Sequence, residues 1–355
     1  MTENIKRTNP VKTFFKDLGW AIKQGARAIN RFLERFLPFL THWPHWLKAA
    51  LFLVPALTLL GIFTFYPIIN SFMVSFYSGY GYDFSEQQWL YDSITLYDNY
   101  LYVLLHENFG QAVLNTVYIV VITVPISVFV ALLIAVAMAG IKSLKGFYQS
   151  IFFLPYVTNS IALGLVFAFM FKGNQNDLEH LGLVNLILSW FGVDPIVWLG
   201  AGARYITALA VILIYSIWNG LAFKIIVFLA GIQGIDKQYY QAAQIDGATK
   251  TKTFLKITVP MISPMIFYIL ITSVIGSFKT YSSIVAIVGV SGRIASGIDG
   301  NINLQTIVFY IYAFLEYATT PGYLSYAAAA SIILFGIILV FTLVQFWVGK
   351  KRVHY

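Results

Sequence analysis

Cysteine is absent from this 355-residue chain, and charged residues are scarce. Without cysteine the chain can form no disulfide and no thiolate metal site. Only 11% of its residues are Asp, Glu, Lys or Arg, whereas soluble domains contain about 25%. A chain with so few charged side chains cannot cover a soluble surface.

The motifs of several enzyme classes are also absent. The chain contains no G-x-x-x-x-G-K-[ST] phosphate loop, so it is not expected to bind ATP in that way, and no H-E-x-x-H metal motif. An intramembrane enzyme would need acid, base or metal-binding groups within its spans. The five histidines lie outside the long apolar runs: His42, His45, His106, His180 and His354. The sequence therefore predicts a chain that is not an enzyme and holds neither metal nor cofactor.

Six long apolar runs are present, each near the length of about 20 residues that a helix needs to cross a bilayer. They are Ala49–Phe76, Ala112–Ala139, Gln149–Phe171, Tyr205–Gly231, Pro260–Gly289 and Leu324–Val348. Strands of a membrane β-barrel would alternate apolar and polar residues, but these runs are continuously apolar. The sequence predicts an all-α integral membrane protein with six transmembrane helices.

The positive charges alternate along the chain. The N-terminal tail, the loops after the second and fourth runs, and the C-terminus are rich in Lys and Arg, whereas the loop 71–110 has none. Positively charged loops stay on the cytoplasmic side, which predicts two cytoplasmic termini and three outer segments, 71–110, 173–203 and 291–322. Residues 11–37 carry apolar and basic faces at helical spacing, which predicts an amphipathic helix on membrane lipid. Membrane location thus explains the formal charge of +8, and no nucleic-acid partner is expected.

A polar and basic stretch, QAAQIDGATKTKTFLKITVP, separates the fourth and fifth runs. Asp236 is placed to cap a helix, because its carboxylate can accept a free backbone N–H of the first turn. Gly247 is placed to end that helix, because glycine readily adopts the left-handed conformation. A second short helix is expected before Pro260. Residues 232–259 are therefore predicted to form a compact helix-turn-helix on the cytoplasmic side.

This stretch resembles the E-A-A-x-x-D-G-A-x-x-x-x-x-F-x-x-I-x-x-P loop of the permeases of binding-protein-dependent ABC importers. The residues that match at the same spacing are Ala242, Ala243, Asp246, Gly247, Ala248, Phe254, Ile257 and Pro260. Three further segments resemble the carbohydrate branch, which includes the maltose and glycerol-phosphate permeases: FFLPYV at 152–157, SIWNG at 216–220 and FLAGIQ at 228–233. The resemblance runs from Asn108 to the C-terminus and implies a six-helix transmembrane subunit of a type I ABC importer.

By that resemblance, residues 232–259 are a coupling loop whose helix seats in a cleft of an ATPase subunit. The residues expected to make this contact are Gln241, Ala242, Ala243, Asp246, Gly247 and Ala248. Gln241 stands where the family usually has Glu, which keeps hydrogen bonding but removes the charge. The implied partners are a second homologous permease subunit, two ATP-binding subunits that hold ATP and Mg²⁺, an extracytoplasmic solute-binding protein and a sugar substrate. The implied location is the bacterial plasma (cytoplasmic) membrane.

In maltose-type permeases the sugar contacts lie on the fourth and fifth spans, which implies a substrate pathway at the same places here. The candidates are Trp218, Gly220, Phe223 and Lys224 in the fourth span, and Ser273, Ser277, Lys279 and Thr280 in the fifth. The hydroxyl residues follow an i, i+4, i+7 course on one helix face. Small hydroxyl residues are also ordinary contacts between membrane helices, so both roles stay open.

Lys224 and Lys279 are the cations within the predicted spans. Burying a lysine costs about 3 kcal/mol on insertion scales, so each is expected to have a partner or a role. Lys224 is near enough to the cytoplasmic helix end for its ammonium to extend there. Otherwise the two lysines favour an acidic sugar, or pair with carbonyl groups or lipid. Asn115, Asn159 and Gln345 are expected to bond between helices.

Two other functions stay open from the residues alone: a stand-alone secondary sugar carrier, and a non-transporting membrane scaffold or sensor. Ion-coupled carriers usually place a carboxylate at mid-membrane, but all Asp and Glu residues here lie in tails or loops. The coupling loop opposes both alternatives. The predicted segments are a basic N-terminal segment, 1–48, a first helix with its outer loop, 49–111, a permease core, 112–349, and a basic tail, 350–355.

Overall fold

The structure is a computed structural model that describes most of the chain. The described residues are Trp20, 23–25, Arg27, Arg31, 44–83, 88–141, 145–173, 181–298 and 300–352. By compactness the chain divides into two units, Met1–Asn70 and Ser71–Tyr355. The predicted amphipathic helix over 11–37 falls almost wholly outside the described residues. The segment boundaries drawn from sequence character at residues 48, 111 and 349 stay a prediction.

In the first unit, an apolar helix begins at His45. Helix α1 (His45–Leu60) continues through a π-helical turn (Gly61–Phe65) into α2 (Tyr66–Val74). Together they form 30 residues that are long and apolar enough to span a membrane. The helix is apolar all round, which is typical of a membrane span. The first predicted span is confirmed, with its start four residues earlier.

The second unit is mainly helical, with short strands in its loops. Its helices are α3 (Asp98–Leu105), α4 (Glu107–Ala139), α5 (Lys145–Val157), α6 (Ser160–Met170), α7 (Leu183–Trp190), α8 (Tyr205–Gln233), α9 (Lys237–Ile245), α10 (Lys250–Thr253), a π-helical turn (Phe254–Thr258), α11 (Val259–Met261), α12 (Ser263–Phe278), α13 (Ser282–Val288), α14 (Ile307–Glu316) and α15 (Tyr323–Arg352). The strands pair antiparallel in twos: β1 (Tyr77–Ser78) with β4 (Ser93–Ile94), β2 (Gly81–Asp83) with β3 (Gln88–Leu90), and β5 (Arg293–Gly297) with β6 (Gly300–Asn303).

The main core of this unit is built on the pairing of α4 with α8. The buried faces of the two helices carry small residues: Ala112, Ala131 and Ala135 on α4, and Ala208 and Ala222 on α8. Alanine lets the backbones of two membrane helices approach closely. Helices α12, α14 and α15 contribute the remaining large side chains of this core.

The number of membrane crossings agrees with the prediction when bent helix pairs are counted as single spans. Among the described residues, four helices are individually long and apolar enough to cross a membrane: His45–Val74, Glu107–Ala139, Tyr205–Gln233 and Tyr323–Lys350. Two bent pairs raise the number to six: Gly146–Val157 with Ser160–Met170, and Lys250–Met261 with Ser263–Phe278. The all-α membrane architecture is confirmed, but two of its spans differ in shape from the prediction.

The third predicted span, Gln149–Phe171, is wrong as a continuous helix, because α5 and α6 meet at 96°. Asn159 begins α6: its Oδ1 accepts hydrogen bonds from the backbone N–H groups of Ile161, at 2.8 Å, and Ala162, at 3.4 Å. Pro155, just before the break, has no N–H with which to continue the helical ladder. Asn159 is thus a helix cap, and the expectation that it bonds between helices is wrong.

The fifth predicted span, Pro260–Gly289, is broken twice. At its start, the segments Lys250–Met261 and Ser263–Phe278 differ in direction by 68°. Pro264 lies in the first turn of α12 and has no N–H to bond to the preceding turn. The backbone ladder is therefore interrupted where the bend occurs.

The second break in this span separates α12 from α13. The hydroxyl of Thr280 donates to the carbonyl of Ser277 (2.7 Å), and the hydroxyl of Thr306 donates to the carbonyl of Thr280 (2.6 Å). The N–H of Lys279 donates to the carbonyl of Gly276 (3.1 Å). These hydrogen bonds pair backbone groups that lack a helical partner at the break. Irregular backbone among membrane helices requires such pairing. Lys279 consequently lies at a helix end, and its predicted place inside a continuous helix is wrong.

A buried amide joins the helix bundle to the β5–β6 hairpin. The Nδ2 of Asn115, on α4, donates to the carbonyls of Asn303 (3.0 Å) and Gln305 (2.8 Å). Its Oδ1 accepts from the hydroxyl of Tyr205 (2.7 Å) and from Nε2 of Gln111 (2.9 Å). All four hydrogen-bonding positions of the amide are used. The expectation that Asn115 bonds between elements of the bundle is confirmed.

The close packing of α6 against α13 generates a first prediction. A methyl group on Gly164 would overlap the side chain of Ala286, so we expect Gly164→Ala to destabilise the protein by about 1–3 kcal/mol. The measurement is thermal unfolding of the purified protein in detergent. Gly110→Ala on α4 is the control, because a methyl group there meets no atom within 4 Å. Equal melting temperatures of the two variants would contradict this packing of α6 against α13.

Candidate functional site

The coupling loop, residues 232–259, folds as the predicted helix-turn-helix. Asp236 begins α9, and its Oδ1 accepts the N–H of Gln238 at 2.9 Å. Gly247 follows the end of α9 with φ +66°, the left-handed conformation that glycine adopts without strain. Thr249 caps α10 by accepting the N–H of Lys252 at 3.3 Å. The predicted cap and stop residues are both confirmed.

The candidate contact residues of the coupling loop lie on different sides of α9. The exposed ones are Gln241, Ala242, Asp246 and Gly247. Ala248 is half-buried, and Ala243 is buried within the chain, so its side chain packs internally. Ile245 was not singled out from the sequence, yet it is 86% exposed, more than any other large hydrophobic residue among those described. The sequence did offer a signal for this exposed residue: an isoleucine at the end of a helix whose other residues are polar, alanine or tyrosine.

The coupling loop is packed against the helix bundle. Tyr240 and Phe254 contact the main core, and the hydroxyls of Tyr240 and Thr258 lie 3.2 Å apart. Helix α9 is therefore in direct contact with the segment that leads into α12. Packed interiors transmit displacement because they have low compressibility.

A cavity of about 600 Å³ lies between α4, α5, α8 and the break between α12 and α13. Seven of the eight candidate pathway residues line it: Gly220, Phe223, Lys224, Ser273, Ser277, Lys279 and Thr280. Trp218 does not, because it lies on another face of α8, where its ring is 5.3 Å from the ring of Phe167. The fold thus brings the candidates of two helices to one polar cavity and leaves the tryptophan outside it.

Lys224 is buried in the wall of the cavity. Its Nζ donates to the carbonyl of Gly220 at 2.9 Å, and the residue is only 8% exposed. Side chains on a helix lean toward its N-terminus, so the ammonium is directed away from Gln233, at the nearer end of α8. The expectation that the ammonium extends to that end is wrong.

Lys279 is exposed at the same cavity. No hydrogen bond or ion pair of its side chain is formed with the described residues, whereas Lys224 uses one of its three N–H donors on a carbonyl. Neither Asp nor Glu is among the described residues that line the cavity. The site therefore combines many hydroxyls with two positive charges.

Several cavity residues were missed from the sequence. The hydroxyl of Tyr215 donates to the carbonyl of Ser160 (2.8 Å) and accepts from Nδ2 of Asn219 (2.8 Å), which links α8 to the start of α6. Thr123 and Ser127 line the wall from α4. Their i, i+4 spacing was a usable signal, but hydroxyl pairs at that spacing are common in membrane helices.

Aromatic rings form the apolar part of the wall. Tyr156, at the end of α5, stacks on Phe223 of α8 with 5.8 Å between ring centroids, and both rings line the cavity together with Tyr281. The cavity thus offers both hydrogen-bonding groups and flat apolar faces.

These features define an α-helical, multi-pass membrane protein with a polar internal cavity and an ordered helix-turn-helix between two spans. Residues 100–354 match the family described as the inner membrane component of binding-protein-dependent transport systems. The chain belongs to this family of ABC transporter permeases, which confirms the resemblance seen in the coupling loop.

Relatives of known name agree with this assignment. The lactose transport system permease protein LacF of Rhizobium radiobacter is 31% identical over 307 residues, covering 85% of this chain and 94% of its own length. The arabinooligosaccharides transport system permease protein AraP of Bacillus subtilis is 29% identical over 302 residues, covering 84% and 88%. A crystal structure of a bacterial ABC transporter that imports the acidic polysaccharide alginate contains a similar chain, with TM-score 0.65, 22% identity and coverage of 91% and 99%. That likeness confirms the predicted importer fold.

The absence of cysteine permits a direct test of the cavity. Ser277→Cys places a single thiol on the cavity wall, so we expect it to react with a charged, water-soluble methanethiosulfonate reagent. Val274→Cys is the control, because Val274 lies on the same helix but is buried and does not line the cavity. Labelling of the purified protein is followed by mass spectrometry. Equal labelling of both variants, or failure of Ser277→Cys to react before denaturation, would contradict a water-filled cavity here.

Proposed function

We propose that this chain is the transmembrane permease subunit of an ATP-driven importer of a sugar or oligosaccharide. The observation that carries the proposal is the hydroxyl-rich cavity of about 600 Å³ between the broken spans, in a chain that belongs to the binding-protein-dependent permease family. The cargoes named for its relatives, lactose and arabinooligosaccharides, support the carbohydrate part of the proposal.

The chemistry of the cavity fits a carbohydrate. A sugar presents hydroxyls around its rim and apolar faces above and below its ring. Ser273, Ser277 and Thr280 offer hydroxyl groups, and the stacked rings of Tyr156 and Phe223 offer an aromatic surface. The volume falls within the range of about 300–1,000 Å³ of small-ligand sites, so the cavity can hold a sugar of several rings or part of a longer one.

The energy for import comes from other subunits in this proposal. Two ATP-binding subunits hold ATP and Mg²⁺, and this chain catalyses no reaction and holds no cofactor. A second, homologous permease subunit completes the membrane pathway, and an extracytoplasmic solute-binding protein delivers the sugar to the three outer segments. The positive-inside distribution of charge supports a plasma-membrane location with both termini and the coupling loop in the cytoplasm.

The coupling loop supplies the mechanical link. Closing of the ATPase subunits displaces α9, and the contacts of Tyr240 and Phe254 carry the displacement into the bundle. The break at Thr280 and the break at Asn159 both lie where such movement changes access to the cavity. Import then proceeds by alternating exposure of the cavity to the two sides of the membrane.

No observation favours the two alternatives, a stand-alone secondary sugar carrier and a non-transporting scaffold or sensor. Within the part of the chain that the structure describes, the residues that line the cavity include no carboxylate for ion coupling. A scaffold would not need a polar cavity between broken spans. Family membership and the ordered coupling loop support the importer over both.

The exposure of Ile245 generates a prediction for the ATPase contact. Ile245→Asp places a charge where the proposal buries an apolar side chain against the ATPase subunit. Because the side chain of Ile245 is 86% exposed within this chain, the substitution should leave the fold of this chain unaffected. Loss of an anchor residue at an interface typically costs about 2 kcal/mol or more, so we expect co-purification of the ATPase subunits and sugar-stimulated ATP hydrolysis to fall at least about tenfold.

Val290→Asp is the matched control, since Val290 is 83% exposed and lies outside the coupling loop. It should retain the ATPase subunits, and Ile245→Val should do so as well. The proposed docking role fails if Ile245→Asp retains normal ATPase association and hydrolysis. If the unmodified chain associates with no ATPase subunit, the importer proposal itself fails.

A further inference from the structure

Among the described residues, no negative charge compensates the two lysines of the cavity. Lys224 is buried, with one carbonyl as its hydrogen-bond partner, and the side chain of Lys279 has no partner in the part of the chain that the structure describes. The described residues that line the cavity include no carboxylate. A buried charge is costly unless it is paired, so an anion that enters the cavity would gain more here than a neutral molecule.

The local backbone makes room for the ammonium of Lys224. A methyl group at Gly220 would stand 2.7 Å from the Nζ of Lys224, closer than real contacts allow. Glycine at this position therefore leaves room for the ammonium of Lys224, a residue that lines the cavity.

The two cations come from different walls of the same cavity. Lys224 belongs to α8, and Lys279 belongs to the break between α12 and α13. Hydroxyls from Ser273, Ser277 and Thr280 lie on the wall that carries Lys279. One wall therefore offers an ammonium, and the other offers an ammonium with hydrogen-bonding hydroxyls.

We propose that the cargo is an anionic sugar, with a carboxylate, sulfonate or phosphate group, and that Lys224 and Lys279 bind this group. The inference rests on the proposed import function and assigns the class of its substrate. Charge-assisted hydrogen bonds to an anion are about twice as strong as neutral ones, so the lysines would select the acidic member of a pair of otherwise identical sugars.

An anionic group for the two lysines can also come from two other sources: an anionic lipid head group, or a carboxylate of the second permease subunit. If the lysines bind a lipid head group, their substitution would change uptake only in vesicles that contain anionic lipid. A carboxylate of the partner permease would make the lysines necessary for assembly. The experiment separates these sources from the cargo.

The test is ATP-driven uptake by the whole reconstituted complex in vesicles. The probes are trisaccharides of galactose, glucose and mannose and their uronate counterparts, in which the C6 hydroxymethyl group is replaced by a carboxylate. We expect the intact complex to import at least one uronate about tenfold or more better than its neutral counterpart, the size of effect that charged hydrogen bonds supply.

Variants assign that preference to the lysines. Lys224→Gln and Lys279→Gln should each lower uptake of the uronate about tenfold and change uptake of its neutral counterpart little. Lys279→Arg should retain the uronate preference, because the charge is kept. Lys172→Gln is the matched control at an exposed lysine outside the cavity, and it should leave uptake of both sugars unchanged.

Three outcomes overturn the inference while leaving the importer proposal standing. They are better uptake of neutral sugars by the intact complex, equal effects of the lysine variants on both members of a pair, and loss of assembly with the second permease in those variants. An effect of Lys279→Gln that occurs only in vesicles with anionic lipid would assign the lysine to lipid and also overturn it. Absence of ATP-driven uptake of every sugar would remove the importer proposal, and the inference with it.

Discussion

The need to hydrogen-bond every backbone N–H and carbonyl in apolar surroundings governs this structure. A continuous helix meets that need by itself, and α8 and α15 do so. The two broken spans meet it with side chains: the amide of Asn159 caps the start of α6, and the hydroxyls of Thr280 and Thr306 serve carbonyls at the end of α12. These few polar groups make the breaks possible, and the cavity exists because the breaks line it.

The cavity and the coupling loop are parts of one packed body. The second halves of the broken spans, α6 and α13, pack on each other, while α12 joins the main core with α4 and α8. The coupling loop contacts that same core through Tyr240 and Phe254. Movement at the loop therefore reaches a region where the spans are already interrupted and where reorientation breaks the fewest backbone bonds.

Much of the fold was predictable because long apolar runs have few alternatives to a membrane helix. The coupling loop was predictable too, since Asp236 and Gly247 act through local backbone chemistry. The breaks were not, because Asn159 and Lys279 look like single polar residues within otherwise continuous apolar runs. The hydroxyl residues Ser273, Ser277 and Thr280 were predictable as cavity residues from their helical spacing. Tyr215 and Asn219 were not predictable, because their hydrogen bonds depend on the position of α6.

Asn115 has a consequence for how freely the sequence of the β5–β6 hairpin can vary. Its amide holds the β5–β6 segment through the main-chain carbonyls of Asn303 and Gln305, and every residue type has such a carbonyl. This attachment therefore does not depend on which side chains the hairpin carries. Substitutions at its exposed positions can reshape the surface of the hairpin over evolutionary time, or in the hands of an engineer, while the same asparagine continues to fasten it to the bundle.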